Sequence, residues 1–408
     1  MASSDSLPVT FEDVEDARAR IRPFISETPF AHSVSLSQAT RSKIYLKLEN
    51  LQMTGSYKER GALNRLDRLT PEEARRGVIA FSAGNHAQGL AYHAHRLGVA
   101  ATIVMPVYTP LVKVTATRRF AARVVLHGQS AAEARAESYR IAEAENLVYV
   151  HPFDDPWIVA GQGTVGLEIL EQNPYLDAVV VPVGGGGLIA GIALALKTTN
   201  PRIKVYGVEA AAMASMKASL AAGRVVEVAS QRTIADGIAV SKVGEIPFAI
   251  CQRYVDEVVT VDDEEIASAV LTLLEVEKTM VEGAGASALA AVLNGHLPIE
   301  GKRVGLVLTG GNIDVTMLSR IIERGLVKDG RMVRLSAKVI DAPGALAAVI
   351  GLIGRLGGNI LQINHERAFV RGPLGMTVVE VTLEARGHEH IKEIVTALEA
   401  AGINVAAA

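Results

Sequence analysis

Four consecutive glycines, Gly184–Gly187, constrain the fold of this chain more than any other feature of its sequence. They follow the apolar run Ala178–Val183, which has the length of a buried strand, and they precede Leu188–Lys197, which has the length of an apolar helix. Because glycine is entropically costly to fix, we interpret the loop as a phosphate-binding site, with a structural tight turn as the alternative. It matches neither the dinucleotide-binding fingerprint nor the P-loop.

The same alternation of strand and helix runs through most of the chain. After a first helix at Phe11–Ile21, helical stretches separate predicted strands at residues 43–49, 78–81, 102–105, 123–126, 148–150, 178–183, 204–208 and 304–308. This rhythm predicts an α/β fold of two doubly wound parallel-sheet lobes, with ligands at the carboxyl ends of the strands between them. We expect a catalytic domain at residues 1–325, in which a small lobe at about residues 50–155 is inserted.

A different pattern follows a predicted linker at residues 326–331. From Met332 to the end, the order is strand, helix, strand, strand, helix and strand, with a Pro-Gly turn before the first of these helices. This order is typical of the ferredoxin-like, split βαβ arrangement. We therefore expect a small α+β domain at residues 332–408.

Composition excludes several classes of function. The net charge is −3 and aromatic residues make up 4%, so no basic or stacking surface for nucleic acid is expected. Cys251 is the single cysteine, which excludes an intramolecular disulfide and fits a reducing compartment. No apolar run approaches the ~18 residues of a membrane span, and the segment Met1–Asp5 lacks the basic and apolar regions of a signal peptide. We expect a cytoplasmic protein without a membrane partner.

Lys58 lies where a helix is predicted to begin. Ser56 and Glu59 have the spacing of a capping box, which would make Ser56 the N-cap and Lys58 the second helical residue. The positive end of the helix dipole, together with burial, would lower the pKa of this lysine. Only a neutral amine attacks a carbonyl, so Lys58 is a candidate Schiff-base lysine, with an ordinary surface lysine as the alternative.

Further polar residues follow predicted strands. Asn85, after the strand at residues 78–81, has an amide that can donate to a phenolate oxygen, and the N–H groups at the start of its helix can hold a carboxylate. His86 is either part of this site or a solvated histidine in a turn. Thr309 ends a core strand, where its hydroxyl can meet a ring nitrogen or simply be a good strand former.

In chain order, these motifs resemble those of the fold type II pyridoxal-phosphate enzymes. Within that group the chain is similar to the threonine ammonia-lyases (threonine dehydratases) and the related serine racemases, over about residues 10–320. The tail resembles an ACT domain. The motifs that carry the likeness are Ser56–Ala62, Ser82–Gly89, Gly184–Gly187, Glu282–Ala286, Thr309–Asn312 and, for the tail, Asp341–Gly344 and Gly358–Ile360.

The resemblance implies roles for individual residues. Lys58 would hold pyridoxal 5'-phosphate and remove the Cα proton of an amino acid, and Thr309 would face the ring nitrogen as a neutral partner, which favours β-elimination over transamination. The implied reaction converts L-threonine to 2-oxobutyrate and ammonia, and L-serine to pyruvate. The implied cofactor contacts are Tyr57, Lys58, Asn85, Gly184, Gly185, Gly186, Gly187, Leu188, Gly237 and Thr309. The implied substrate contacts are Ser82, Ala83, Gly84, Asn85 and His86.

Two departures from the racemase pattern matter. Racemases carry a serine at the position of Ala83, and that hydroxyl acts as acid and base on the face opposite the lysine, so racemisation is the weaker alternative. The divalent-cation site implied by the family would use Glu209 with the positions of Met213 and Ser215. Because the second carboxylate is missing at Ser215, we expect no bound metal; Glu209 is either a remaining metal ligand or simply an acid at the end of a strand.

Other readings of function stay open. They are a dehydratase of another hydroxy amino acid, a β-replacement transferase such as a cysteine synthase, and a non-catalytic amino-acid sensor. For the tail, the resemblance implies an allosteric site at Pro343, Gly344 and Asn359 for a branched-chain amino acid, isoleucine or valine, as in isoleucine biosynthesis. The alternative is a dimerisation module. We expect a homodimer or homotetramer.

Overall fold

Two compact units make up the structure, a computed structural model that describes residues 7–367 and 373–407. The larger unit ends at Ile313 and the smaller begins at Asp314. The sequence analysis placed a linker later, at residues 326–331, and did not predict the helix Val315–Lys328. The structure groups this helix with the smaller unit, where the carbonyl oxygen of Lys328 lies 3.0 Å from His388 Nε2. The segment Met1–Asp5, on which the expectation of no signal peptide rests, lies outside the described residues.

The larger unit alternates strands and helices along the described chain. Its strands are β1 (Phe30–Ser33), β2 (Lys43–Lys47), β3 (Val78–Phe81), β4 (Ala101–Met105), β5 (Arg123–Leu126), β6 (Val148–Tyr149), β7 (Ala178–Pro182), β8 (Lys204–Ala210), β9 (Glu257–Val261) and β10 (Arg303–Val307). Its helices are α1 (Phe11–Ile21), α2 (Val34–Thr40), α3 (Lys58–Asp67), α4 (Pro71–Arg76), α5 (Asn85–Leu97), α6 (Leu111–Arg118), α7 (Ala131–Ala144), α8 (Pro156–Gln172), α9 (Gly187–Thr199), α10 (Ser215–Ala222), α11 (Glu245–Tyr254), α12 (Asp263–Glu275) and α13 (Gly283–Leu293).

These strands form two sheets, as the sequence predicted. The larger has the order β1-β2-β10-β7-β8-β9, and the smaller has the order β5-β4-β3-β6 with all its strands parallel. Only β1 departs from the parallel pattern, since it pairs with β2 as an antiparallel edge. The sequence analysis predicted neither β1 nor β9. The short β1 has two exposed residues at its centre, so it lacks the apolar run that marks the central strands.

Close helix packing fixes the position of α3, the helix that begins at Lys58. It crosses α8 so closely that a Cβ atom on Gly161 would lie 2.7 Å from the Cα atom of Gly61. The absence of side chains at Gly61 and Gly161 therefore lets the backbones of the two helices approach closely. Side chains larger than glycine at either position would push α3, and Lys58 with it, away from the body of the unit.

The smaller unit is an α+β domain with the predicted order of elements. It contains α14 (Val315–Lys328), β11 (Met332–Ile340), α15 (Ala345–Arg355), β12 (Asn359–Glu366), β13 (Met376–Glu384), α16 (His388–Ala400) and β14 (Asn404–Ala407). Its strands form an antiparallel sheet in the order β12-β13-β11-β14, and the inward residues of β11 and β13 build a core with α15 and α16. The βαββαβ order of β11 to β14 is that of ferredoxin-like folds. Within the described ranges of both units, no helix is long and apolar enough to cross a membrane.

Candidate active site

One cavity of about 400 Å³ in the larger unit collects most of the residues predicted from sequence. It opens where β3, β7 and β10 end and where α3, α5 and α9 begin, which is the edge at which parallel α/β sheets bind ligands. All the predicted cofactor and substrate residues line it, together with several that the sequence analysis did not select. The predicted residues are Tyr57, Lys58, Ser82, Ala83, Gly84, Asn85, His86, Gly184, Gly185, Gly186, Gly187, Leu188, Gly237 and Thr309.

Lys58 is the first residue of its helix, and the predicted capping box is wrong. Ser56 is extended and forms an antiparallel bridge with Gly310, and its buried hydroxyl makes no hydrogen bond to any described residue. Glu59 instead accepts hydrogen bonds from the backbone N–H groups of Met53 and Thr54, at 3.0 and 3.3 Å. The pairing with the segment after β10 keeps the backbone of Ser56 extended, and Tyr57 occupies the N-cap position of α3 instead.

The amine of Lys58 reaches the cavity from the start of α3. Its Nζ atom donates a hydrogen bond to the carbonyl oxygen of Pro152, at 3.0 Å. Burial lowers the pKa of Lys58 to about 8, and the nearby charge of Glu282 partly opposes this shift. At this pKa roughly a tenth of the amine is neutral at pH 7, far more than for an ordinary lysine, which is the direction of shift that the sequence analysis expected.

A buried ion network anchors the helix two residues beyond Lys58. The guanidinium of Arg60, 1% exposed, makes two hydrogen bonds to the carboxylate of Glu49, at 2.7 and 2.8 Å, and two more to Glu168, at 2.6 and 2.9 Å. Lys47 also contacts Glu168, at 2.6 Å. Burial disfavours the charged form of Glu49, but the attraction of Arg60 holds its pKa below the ordinary value. These fixed bonds give α3 a defined position relative to the larger sheet.

The turn after β3 is ordered by its own side chains. The hydroxyl of Ser82 accepts hydrogen bonds from the backbone N–H groups of Gly84 and Ala87, both at 3.2 Å. His86 is 2% exposed and not the solvated histidine of the alternative reading. Burial and the charge of Lys58 lower its pKa to about 3, so the imidazole is neutral. Its Nε2 atom lies 3.1 Å from the carbonyl oxygen of Val150, and its Nδ1 atom has no partner among the described residues.

Asn85 connects two residues that the sequence analysis did not assign to the site. Its amide nitrogen donates to Glu282 Oε1 at 2.6 Å, and its amide oxygen accepts from Asn312 Nδ2 at 2.7 Å. Burial raises the pKa of Glu282 to about 7, and the charge of Asp236 adds to this shift. Both residues belong to motifs that carried the family resemblance, Glu282–Ala286 and Thr309–Asn312, and those motifs were the signal that could have identified them.

The glycine loop fits a phosphate group. A Cβ atom on Gly185 would overlap the ring of Phe153, and Gly186 has a φ of +92°, so both positions require glycine. Because α9 begins at Gly187, the first N–H groups of this helix have no intrahelical partner and face the end of the loop. Backbone donors at the positive end of a helix are the donor set that binds phosphate. The alternative of a purely structural turn does not explain why this loop lines the cavity.

Glu209 has a structural role. It is fully buried at the end of β8, and its carboxylate accepts hydrogen bonds from the backbone N–H groups of Met216 and Lys217, at 2.7 and 2.9 Å. The hydroxyl of Ser215 donates to the carbonyl oxygen of Val240. Within the described part of the chain, no group of three or more histidine, cysteine, aspartate or glutamate residues is arranged to hold a metal ion.

The three predicted regulatory residues lie in the smaller unit, and one copy of the chain does not bring them together. Gly344 follows the end of β11, with Pro343 before it, whereas Asn359 is level with the start of β11 because both it and Met332 pair with Glu384. The nine residues of β11 span roughly 25 Å or more at about 3.3 Å per residue. A site that used all three residues would need two copies of the domain.

Comparison with known proteins decides the family. Residues 21–310 match the model of the pyridoxal-phosphate dependent enzymes. The chain belongs to this family. It is 49% identical to an L-threonine ammonia-lyase of Thermotoga maritima over 97% of this chain and 99% of the relative. The structure of tomato threonine deaminase isoform 2 is 39% identical and aligns with a TM-score of 0.74, over 77% of this chain and 92% of that one. A serine racemase from Dictyostelium discoideum is 35% identical with a TM-score of 0.71, over 75% and 99%.

The family's cofactor suits the donors of the cavity. Pyridoxal phosphate carries a phosphate, an aldehyde and a ring oxygen. The glycine loop, the Lys58 amine and the Asn85 amide present one suitable partner for each, and all three line the same 400 Å³. The membership of the family and the donor set of the site therefore agree.

Proposed function

We propose that this chain is a pyridoxal-phosphate-dependent threonine ammonia-lyase that converts L-threonine to 2-oxobutyrate and ammonia, and also L-serine to pyruvate. The observation that carries the proposal is the Lys58 amine, with its lowered pKa, on the wall of a cavity shared with the glycine loop. The near-full-length likeness to an L-threonine ammonia-lyase supports the choice of substrate.

Lys58 is the base in this proposal. When bound, the cofactor supplies an electron-withdrawing ring that stabilises negative charge at the Cα atom of the amino acid. The neutral amine of Lys58 accepts the Cα proton, and its position at the first residue of α3 keeps it beside the cavity. General bases of this kind contribute about 10²–10⁴-fold to a rate.

The turn Ser82–His86 orients the substrate. The start of α5 presents backbone N–H groups to the cavity, and these are suited to the carboxylate of an amino acid. The hydroxyl of Ser82 keeps the turn in shape, and the neutral His86 adds no charge. The donors thus fix one end of the substrate while Lys58 acts at Cα.

The remaining cofactor contacts fall into groups according to the part of the cofactor that each would hold. The glycine loop with Leu188 would hold the phosphate, the Asn85 amide would donate to the ring oxygen, and Tyr57 and Gly237 would lie beside the ring. Thr309, 3% exposed at the end of β10, is a neutral partner for the ring nitrogen. A neutral partner leaves the ring less electron-withdrawing than an aspartate would, which favours prompt β-elimination.

Racemisation is the second candidate, because a serine racemase is among the similar structures. Ala83, which lines the cavity, offers no hydroxyl to return a proton from the face opposite Lys58. Purified protein incubated with L-serine should therefore release pyruvate without accumulating D-serine. Accumulation of D-serine at a rate comparable to pyruvate would favour the racemase.

For the smaller unit we propose an ACT domain that binds isoleucine or valine and adjusts turnover, as in isoleucine biosynthesis. The βαββαβ order and the Pro343-Gly344 turn support this proposal. Since Asn359 lies at the other end of β11, the effector site would combine Pro343 and Gly344 of one copy with Asn359 of another. Coupling of about 1–3 kcal/mol would change the apparent affinity for threonine about five- to 150-fold.

The proposed homodimer or homotetramer has support in the larger unit as well. Exposed apolar side chains cluster on segments joined by hydrogen bonds from Ser33 to Glu277 and from Asn50 to Met280. Burying such side chains between copies is favourable. They are Val34, Leu51, Met53, Val276 and Met280. A cytoplasmic location remains a prediction from the sequence.

The substrate assignment is tested by measuring 2-oxo acid release from L-threonine, L-serine and 3-hydroxyaspartate, each with and without isoleucine or valine. We expect turnover with threonine and slower turnover with serine. If turnover does not change with either branched-chain amino acid, and neither binds in calorimetry of the full chain, the tail is better interpreted as a dimerisation module.

A further inference from the structure

Asn85 belongs to a short hydrogen-bond chain, in which the orientation of each donor and acceptor is fixed. It begins at the backbone carbonyl oxygen of Thr54, which accepts from Asn312 Nδ2 at 2.8 Å. The same amide nitrogen also donates to Asn85 Oδ1, at 2.7 Å. Asn85 Nδ2 then donates to Glu282 Oε1, at 2.6 Å. The chain thus runs from one obligate acceptor, through two amides, to a carboxylate.

The carbonyl of Thr54 sets this direction. A backbone carbonyl oxygen can only accept a hydrogen bond, so Asn312 must turn its NH₂ group toward Thr54. Both hydrogens of that group are then used, one for Thr54 and one for Asn85. Asn85 must in turn present its oxygen to Asn312. Its NH₂ group is left to face Glu282 and the cavity.

We propose that Asn312 is a positioning residue that fixes the orientation of the Asn85 amide, so that Asn85 offers the cavity a donor and never an acceptor. One hydrogen of Asn85 Nδ2 is bound by Glu282, and the second remains for the ring oxygen of the cofactor. If the amide were flipped, its carbonyl oxygen would face Glu282 Oε1, which is an acceptor only while Glu282 is ionised. When Glu282 is ionised, the flip would replace this hydrogen bond with repulsion between two acceptor oxygens.

The residues around this hydrogen-bond chain support the positioning role of Asn312. A Cβ atom on Gly55 would lie 2.8 Å from Asn312 Oδ1, and a Cβ atom on Gly310 would lie 2.6 Å from Glu282 Oε1. Both glycines therefore leave room for the side chains of Asn312 and Glu282. Glu282 is 5% exposed, so bulk water does not readily replace it as the acceptor. The motifs around Glu282 and Asn312 thus act together on one amide.

The test reverses the donor-to-acceptor direction of this hydrogen-bond chain. In Asn312→Asp the side chain keeps its shape but can no longer donate, so Asn85 is expected to turn its NH₂ group toward the new carboxylate. We expect the affinity of the full-length apo protein for pyridoxal phosphate to fall at least about tenfold, from the loss of one charge-assisted bond. Asn173→Asp is the matched control, because Asn173 Oδ1 only accepts from Tyr175 N–H, which a carboxylate does equally well.

The double variant Asn312→Asp with Glu282→Gln separates the effect of the added negative charge from the effect of the reversed hydrogen-bond direction. Above about pH 8, where Glu282 is largely ionised in the wild type, the double variant has the wild-type net charge, but the new glutamine can donate to Asn85 Oδ1, which stabilises the reversed hydrogen-bond chain. We expect the double variant to bind the cofactor as weakly as Asn312→Asp alone. Recovery of wild-type affinity in the double variant would mean that charge alone causes the loss, and would overturn the proposal.

Two further readouts separate positioning from packing and from turnover. If packing were the role, Asn312→Leu would weaken binding more than the isosteric Asn312→Asp, and that order would also overturn the proposal. The visible absorbance of bound cofactor is expected to titrate at a different pH in Asn312→Asp than in Asn173→Asp.

The inference rests on the cofactor part of the proposed function. Cofactor affinity is measured without substrate, so a wrong assignment of threonine as substrate would leave this test intact. Circular dichroism of each apo variant confirms that it is folded.

Discussion

The amine nitrogen of Lys58 donates a hydrogen bond to the backbone carbonyl oxygen of Pro152, at 3.0 Å. This contact joins the first residue of α3 to the loop that precedes α8, and it holds the amine at the cavity wall. Since a carbonyl oxygen can accept from an ammonium and from a neutral amine, the contact restrains the position of the side chain in both protonation states. Burial then determines the protonation state.

The pKa of Lys58 predicts how cofactor capture depends on pH. Burial lowers this pKa to about 8, and only the neutral amine reacts with an aldehyde. The rate of capture of pyridoxal phosphate by apo protein should therefore rise with pH and level off above about 8. Stopped-flow absorbance across pH 6 to 10, at about constant ionic strength, measures this. A midpoint near 10.5, the ordinary lysine value, would show that the amine is not desolvated.

The glycine loop predicts a size limit at Gly185. A methyl group there would overlap the ring of Phe153, so Gly185→Ala should shift the loop and weaken cofactor binding at least about tenfold, with overpacking of about 1–3 kcal/mol. Gly354→Ala in α15 is the matched control, because nothing lies within 4 Å of its added Cβ atom. Fluorescence titration with pyridoxal phosphate compares the two. Equal affinities would mean that Phe153 yields and that the loop is not a rigid cradle.

The buried pair of Arg60 and Glu49 predicts a large cost of neutralisation. Glu49→Gln leaves the guanidinium of Arg60, 1% exposed, with one charged partner fewer and turns an NH₂ group toward it, so the free energy of unfolding should fall by about 3–5 kcal/mol. Glu145→Gln breaks the exposed pair with Arg123 and should cost at most about 1 kcal/mol. Urea unfolding of both variants measures the difference. Similar losses would indicate that the network contributes little to the position of α3.

The exposed apolar cluster predicts that copies associate through it. Met53 is 65% exposed, and Met53→Glu would place a charge in a buried interface. The oligomer of this variant should therefore dissociate at a higher protein concentration than the wild-type oligomer. Tyr175→Glu, at a side chain 70% exposed outside the cluster, is the control. Analytical ultracentrifugation distinguishes them. A variant of Met53 with the mass distribution of the wild type would exclude this surface from the assembly.

Local patterns predicted the central strands and the cavity edge well, because each depends on a short stretch of sequence. The strand Val78–Phe81 and the helix Phe11–Ile21 have the predicted bounds, and the strand ends put Lys58, Asn85 and the glycine loop at one cavity. The capping box failed for a non-local reason. Ser56 is held by Gly310, more than two hundred residues away in the chain, and no local spacing reports such a pairing.

The same reason explains the residues that were missed. Glu282 and Asn312 act on Asn85 only because three distant segments meet at the cavity, and neither residue has a sequence neighbour that reveals its partner. The resemblance identified their motifs without stating what these two side chains do. The position of Asn359 relative to Gly344 likewise depends on strand register, which the pattern of the tail did not give.

The most direct test of the account is the release of 2-oxobutyrate from L-threonine by the purified protein loaded with pyridoxal phosphate, measured beside Lys58→Ala. We expect equal amounts of 2-oxobutyrate and ammonia from the wild type. Lys58→Ala should lose at least about 10²–10⁴-fold of the turnover while keeping its fold. Undiminished turnover in Lys58→Ala would remove Lys58 from the mechanism, and a wild type that releases no 2-oxo acid from threonine would contradict the proposed function.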